Sequence, residues 1–140
     1  MIGFEFDWTG IPGWKEALDK AERNVDRASS AALIELAALA ESKAKGNFQG
    51  SHPRGRPHVG GAQPNVVTGN QRRSIQRTAV LREGPGDYMT RVFPSTVYAR
   101  AVELGNPRTG SRAFPYFAPA MRAVRLAAND ILIRNWSKYI

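Results

Sequence analysis

The chain has 140 residues, with 20 Lys and Arg against 12 Asp and Glu, and therefore a formal net charge of +8. It contains no cysteine, which excludes disulfides, thiolate metal sites and a cysteine nucleophile. No apolar run approaches the roughly 18 residues that a membrane span needs, and the N-terminus lacks the basic region of a secretory signal. These features favour a soluble, basic, non-catalytic protein with a single domain over residues 1–140. The charge alone suggests a polyanionic partner.

Residues 12–46 are predicted to form a long helix, because apolar residues recur every three or four positions along one face. Pro12 suits the first turn of this helix, and Gly46 suits its end. The face is rich in alanine, so we expect it either to pack on the core or to contact another subunit closely. Its members are Trp14, Leu18, Ala21, Val25, Ala28, Ala32, Leu36 and Leu39.

Residues 47–67 are predicted to form a basic, flexible loop, because they are rich in Gly and Pro. Residues 47–82 contain six Arg and no acidic residue. Arg54 and Arg56 have three interpretations: contact with DNA phosphates, contact with an acidic surface of a neighbouring protein ring, or a solvated loop without a partner. His52 and His58 lie in the same loop, but no further ligand is near them in the sequence, so we expect no metal site.

The rest of the chain predicts a β-hairpin over 75–93, a short helix over 96–104 and a C-terminal helix over 119–138. Two segments rich in β-branched and aromatic residues, Ile75 to Arg82 and Tyr88 to Phe93, flank a Gly/Pro turn. Val97, Ala101 and Leu104 share one face of the short helix. The last helix places Met121, Val124, Ala128 and Ile131 on one stripe, and Asp130 and Arg134 are spaced for an ion pair.

We therefore expect an α+β fold. In this fold, long N- and C-terminal helices pack on a small antiparallel sheet that contains a β-hairpin, with a short helix and a long basic loop.

Three short motifs are the most informative part of the sequence. They are Thr-Gly-x-x-Arg-x-Ser-Ile at 68–75, Tyr-Ala-x-x-Val-Glu-x-Gly at 98–105, and Pro-Tyr-Phe-x-Pro-Ala at 115–120. Thr68 can cap a short helix through its hydroxyl, and Glu103 is expected to be a solvated or capping carboxylate rather than a catalytic one. We take the following residues as candidates for contact with other subunits or partners: Arg54, Arg56, Thr68, Gly69, Arg72, Arg73, Tyr98, Glu103, Gly105, Tyr116 and Phe117.

The order and spacing of these motifs between two long helices resemble the tail-component family of long-tailed bacteriophages, over residues 15–138. That family includes tail completion, tail terminator and neck proteins at the head–tail joint. The chain departs from the family at Gln71, where an apolar residue such as Leu is usual. The basic loop at Gln49–Gly61 is not a required family feature either.

The resemblance implies an α+β structural virion protein that assembles as a ring, most often with six copies, around the channel through which DNA passes. It implies contact with neighbouring neck and tail-tube proteins, incidental contact with DNA in the channel, and assembly in the bacterial cytoplasm. No enzyme activity, cofactor, catalytic residue, metal or membrane is expected. Tail termination or completion is the favoured role.

Three other functions remain open from the sequence. The ring could be a head-closure (stopper) or adaptor ring of the same neck. A basic nucleic-acid-binding protein is the main alternative from a different class, because the charge excess favours it. An enzyme is the least favoured, because the acidic residues lie mostly on the first helix with the spacing of a solvated face.

Overall fold

The computed structural model describes residues 13–140 and has an α+β fold, as the sequence predicts. Pro12 and the N-terminal segment lie outside the described residues. The helices are α1 (Trp14–Gly46), α2 (Asn70–Arg73), α3 (Ala99–Leu104) and α4 (Phe117–Tyr139). The strands are β1 (Ile75–Arg77), β2 (Leu81–Gly84), β3 (Asp87–Met89) and β4 (Val92–Pro94). Within residues 13–140, none of the helices has the length and apolarity required to cross a bilayer.

Helices α1 and α4 pack against each other in antiparallel directions. Ala44, near the end of α1, belongs to the same buried cluster as Ala120, near the start of α4. At the other end of the contact, Asn135 Nδ2 donates to Glu35 Oε2 at 2.8 Å, and Arg134 forms an ion pair with the same carboxylate. The expected pair between Asp130 and Arg134 is therefore wrong, because a half-buried carboxylate on the facing helix binds the guanidinium instead.

The buried face of α1 differs from the predicted stripe. Ala28 and Ala32 of that stripe are buried as predicted, but Leu18 and Ala21 are exposed, and residues outside the stripe (Ala37, Ala40 and Ala44) are buried. The helix has 33 residues and α4 has only 23, so the first turns of α1 extend past α4. Farther along the chain, helix α1 packs against both α4 and the hairpin, and its buried face rotates away from the predicted stripe.

The hairpin forms, but each of its predicted continuous strands is interrupted. Strand β1 pairs with β4 and strand β2 pairs with β3, both antiparallel. The register changes between the two pairs, which is the signature of a bulge. The hairpin lies along α1: Arg77 at its base pairs with Glu41 at 3.5 Å, and Arg82 near its turn pairs with Glu22 at 3.0 Å. Its turn therefore lies beside the N-terminal half of α1.

Helix α3 begins later than predicted and turns its apolar face outward. Val97 is 100% exposed and Leu104 is 65% exposed, so the face on which these two residues were predicted to lie is not covered within residues 13–140. The buried side is occupied by Ala99 instead. Likewise Met121 on α4 is partly exposed, while Val124 and Ile131 of the same predicted stripe are buried.

Candidate functional site

Tyr116 lies at the centre of the region where the three motifs meet. Its side chain is only 1% exposed and belongs to a buried cluster with Ala44, Phe48, Ile75 and Ala120. The ring centroid of Phe48 lies 4.9 Å from that of Tyr116. Burial raises the pKa of the Tyr116 hydroxyl to about 12, and the negative charge of Glu103 contributes to the increase. Tyr116 therefore acts as a neutral, hydrogen-bonding core residue.

Gln71 connects the first motif to Tyr116. This residue is buried on the short helix α2, and its Nε2 donates to Tyr116 Oη at 2.5 Å. Thr96 donates its hydroxyl hydrogen to Gln71 Oε1. A buried amide is tolerated only when its polar atoms have hydrogen-bond partners, and both the Nε2 and the Oε1 of Gln71 have one. Gln71 thus forms a polar link between α2 and the start of α4.

Glu103 connects the second motif to the third. Its carboxylate accepts the backbone N–H groups of Tyr116, Phe117 and Ala118, each at 2.9 Å. These are N–H groups at the N-terminus of α4, which has no intrahelical acceptors for them and favours negative charge. Of the two roles expected for Glu103, the structure therefore gives it the capping role.

Gly105 ends α3 in a conformation that other residues rarely adopt. Its φ is +79°, and a Cβ added there would lie 2.8 Å from Ser111 O and 3.0 Å from Ala113 N. The segment that follows folds back, because Phe114 N–H donates to Val102 O at 2.8 Å. A glycine at this position allows the chain to return from α3 to the start of α4 over a short distance.

Four candidate residues line a cavity of about 140 Å³ between α2, α3 and the end of the basic loop. Thr68 accepts the N–H of Asn70 at 3.3 Å, but the N-cap position belongs to Gly69, whose φ is +78°. Most of the remaining wall is apolar, and the exposed Arg72 adds a positive charge to the lining. The candidates that line it are Thr68, Gly69, Arg72 and Tyr98.

Arg73, from the same motif, does not line this cavity. Its Nη2 donates to Asn70 Oδ1 at 2.7 Å and to Thr68 O at 3.2 Å. The guanidinium thus holds the turn before α2 from the outside, which is a structural role.

Arg54 and Arg56 lie in the basic loop, apart from the cavity. Both are exposed, and neither side chain has a hydrogen bond or ion pair with any residue of 13–140. His52 Nδ1 and His58 Nε2 each contact a backbone carbonyl, and within the described part of the chain no group of His, Asp or Glu could hold a metal ion.

Asn65 is a residue of the loop that sequence reasoning did not single out. Its Nδ2 donates to Gln49 O at 2.6 Å and to Val59 O at 2.9 Å, and its Oδ1 accepts Val59 N–H at 2.7 Å. His58 stacks on Phe114 with ring centroids 4.0 Å apart. The loop therefore has defined anchors on both sides of the exposed arginines. The only sequence signal for Asn65 is that asparagine often binds backbone groups in loops.

The chain was compared with protein-family models, with curated proteins and with solved structures, and none of the three comparisons gave a match.

Proposed function

We propose that this chain is a structural subunit of the head–tail joint of a tailed bacteriophage. Copies assemble into a ring that terminates or completes the tail tube and joins it to the head connector, and the ring resides in the virion after assembly in the bacterial cytoplasm. The chain performs no catalysis in this role and needs no cofactor. Neighbouring neck and tail-tube proteins are its partners, and DNA passes through the ring.

The contacts among the three motifs support this proposal. Gln71 from the first motif and Glu103 from the second both bind the residues around Tyr116 in the third. The motifs are separated in the sequence but form one structural unit, so their order and spacing are physically coupled. This coupling gives a physical reason for the motif order, on which the resemblance to phage tail components rests.

The observation that carries the proposal is the exposed apolar surface along α3. Val97, just before the helix, and Leu104, at its end, are exposed and line the same groove as Tyr116 and Phe117. The core beneath is thin, because seven of the twelve buried apolar side chains in residues 13–140 are alanine. Contiguous exposed apolar surface on a protein is typical of a protein–protein interface.

Native mass spectrometry of the purified protein tests the proposal. We expect a closed species with one copy number, six by the resemblance, and a ring with a central channel in negative-stain images. A reconstruction of virions should locate that ring between the head connector and the tail tube, which also distinguishes a terminator from a stopper or adaptor. A protein that stays monomeric in solution and in the particle would contradict the proposal.

A nucleic-acid-binding protein is the second candidate, and the exposed, unpaired guanidinium groups of Arg54 and Arg56 favour it. Titration with duplex DNA at two salt concentrations tests this function. If these residues bind phosphates, Arg54→Ala with Arg56→Ala should reduce the salt slope by about 2. The matched control, Arg122→Ala with Arg125→Ala on α4, removes the same charge elsewhere and should leave the slope nearly unchanged. Equal effects of the two variants would indicate nonspecific attraction only.

A further inference from the structure

The outward side of α3 borders a groove whose lining contains one cation, Arg100, and one carboxylate, Glu103, which already caps the start of α4. The groove has a volume of about 450 Å³, and its walls include Pro94, Val97, Leu104 and Phe117. Arg100 lies between Val97 and Leu104 in the sequence and is exposed. Its guanidinium has no hydrogen bond or ion pair with any residue in the described part of the chain. We call this surface the α3 groove, and a partner that fits it needs apolar side chains and a carboxylate.

The hairpin turn at residues 83–87 offers both kinds of group. Glu83 and Asp87 are exposed, and neither carboxylate has a partner within residues 13–140. Leu81, just before the turn, is 54% exposed. The turn itself is narrow, because Gly84, Pro85 and Gly86 carry little or no side-chain bulk. We call residues 81–87 the hairpin tip.

The two surfaces lie far apart in one chain. The hairpin tip lies beside Asp26 of α1, since both Arg82 and Tyr88 contact that carboxylate. The α3 groove lies near Ala44, which shares a buried cluster with Tyr116. Eighteen residues of α helix span about 27 Å, so the tip cannot reach the groove of its own chain. Contact between them requires a second copy.

We infer that the hairpin tip of one copy docks in the α3 groove of the next copy. This inference rests on the proposed function, because it identifies the surfaces through which the ring subunits bind each other. Arg100 pairs with the carboxylates of Glu83 and Asp87, and Leu81 packs on Val97 and Leu104. The contact joins two different surfaces, so repetition gives a closed ring or an open filament rather than a dimer.

The alternative occupant, the same α3 groove of a second copy, is less favourable. A two-fold contact would bring two Arg100 guanidinium groups together, and the one carboxylate in the groove lining, Glu103, already accepts three backbone N–H groups at the start of α4. Like charges that face each other across an interface are destabilising. Charge complementarity therefore selects the hairpin tip over a second groove.

Disulfide cross-linking tests the contact directly, because the chain has no native cysteine. A chain with both Val97→Cys and Pro85→Cys should give a ladder of multimers on a non-reducing gel after mild oxidation. That ladder should end at the copy number of the ring. Chains with either substitution alone should stay uncross-linked. Dimers from Val97→Cys alone would overturn the inference, because they require a groove-to-groove contact.

Charge reversal gives an independent test in the full-length chain. Arg100→Glu and Asp87→Arg should each weaken assembly at least about tenfold, as measured by sedimentation velocity, and the combined variant should recover most of the loss. Asp130→Arg is the matched control, since Asp130 is an exposed carboxylate on α4 away from both surfaces. All three side chains that are changed are exposed, so circular dichroism should show the same fold.

The two proposals fail in different ways. If the unmodified chain forms rings but neither charge reversal changes their stability, the inferred contact is wrong and the proposed function stands. If the unmodified chain remains monomeric at every concentration, the proposed function itself fails. Equal weakening by Asp130→Arg would also overturn the inferred contact, because it would attribute the effect to overall charge.

Discussion

Removal of the Glu103 carboxylate should destabilise the chain much more than removal of an acidic group that makes no hydrogen bond, such as Glu16. Glu103→Ala leaves the N–H groups of Tyr116, Phe117 and Ala118 without their acceptor. Ala118 is exposed, so water can replace that bond. The other two N–H groups lie at the edge of the buried cluster, where a hydrogen bond to a charged group contributes about 1.5–3 kcal/mol.

From these bonds we expect Glu103→Ala to lower the free energy of unfolding by about 3 kcal/mol. Glu103→Gln keeps an acceptor oxygen but loses the charge, so it should cost about half as much. Glu16→Ala is the matched control. Glu16 lies in the first turn of α1 but has no hydrogen bond to another described residue, so only the helix-dipole contribution of a few tenths of a kcal/mol should be lost.

Urea unfolding followed by tryptophan fluorescence measures these differences. Two protein concentrations, tenfold apart, separate the stability of the subunit from that of the assembly. The interpretation of Glu103 as the anchor of α4 is refuted if Glu103→Ala costs no more than Glu16→Ala. It is also refuted if Glu103→Gln is as harmful as Glu103→Ala, because the retained oxygen would then contribute nothing.

Three further outcomes are expected. Gly105→Ala should cost at least about 2 kcal/mol in thermal or urea unfolding, because its Cβ would lie 2.8 Å from Ser111 O. Gly110→Ala, also at positive φ but in open space, should cost only about 1 kcal/mol; equal costs would contradict the steric explanation. Gln71→Leu should cost about 1–3 kcal/mol because it leaves the Tyr116 hydroxyl without its donor, and adding Tyr116→Phe should recover part of that loss. Because the pKa of Tyr116 is about 12 in the folded chain against 10.0 for an ordinary tyrosine, the unfolded state loses the proton first. The free energy of unfolding should then fall by about 1.4 kcal/mol per pH unit between pH 10 and 12. Tyr116→Phe should fall less steeply, and identical pH profiles would contradict this burial effect.

Local sequence patterns were sufficient for the elements of the fold. The alanine-rich periodicity predicted α1, and the Gly-Pro-Gly turn between two β-rich segments predicted the hairpin. Gly105 after an apolar-periodic segment predicted the end of α3. In each case the signal lies within a few residues of the feature, because capping, turn formation and helical periodicity depend on neighbours in the sequence.

Contacts between distant residues were not predictable in the same way. Gln71 and Tyr116 are 45 residues apart, and a glutamine on a short helix carries no mark of its partner. Arg134 had a plausible partner four residues away, yet it pairs with Glu35 on another helix. The outward direction of Val97 and Leu104 was also missed, because periodicity shows which residues share a face but not which neighbour covers it.

A reconstruction of the purified assembly by electron cryomicroscopy tests the central claim most directly. The claim is that this chain is a ring subunit whose neighbours meet through two different surfaces. We expect a closed ring, with six copies by the resemblance, in which the hairpin turn of each copy lies in the α3 groove of the next and Asp87 or Glu83 contacts Arg100. A monomer, or a two-fold dimer joined groove to groove, would contradict it.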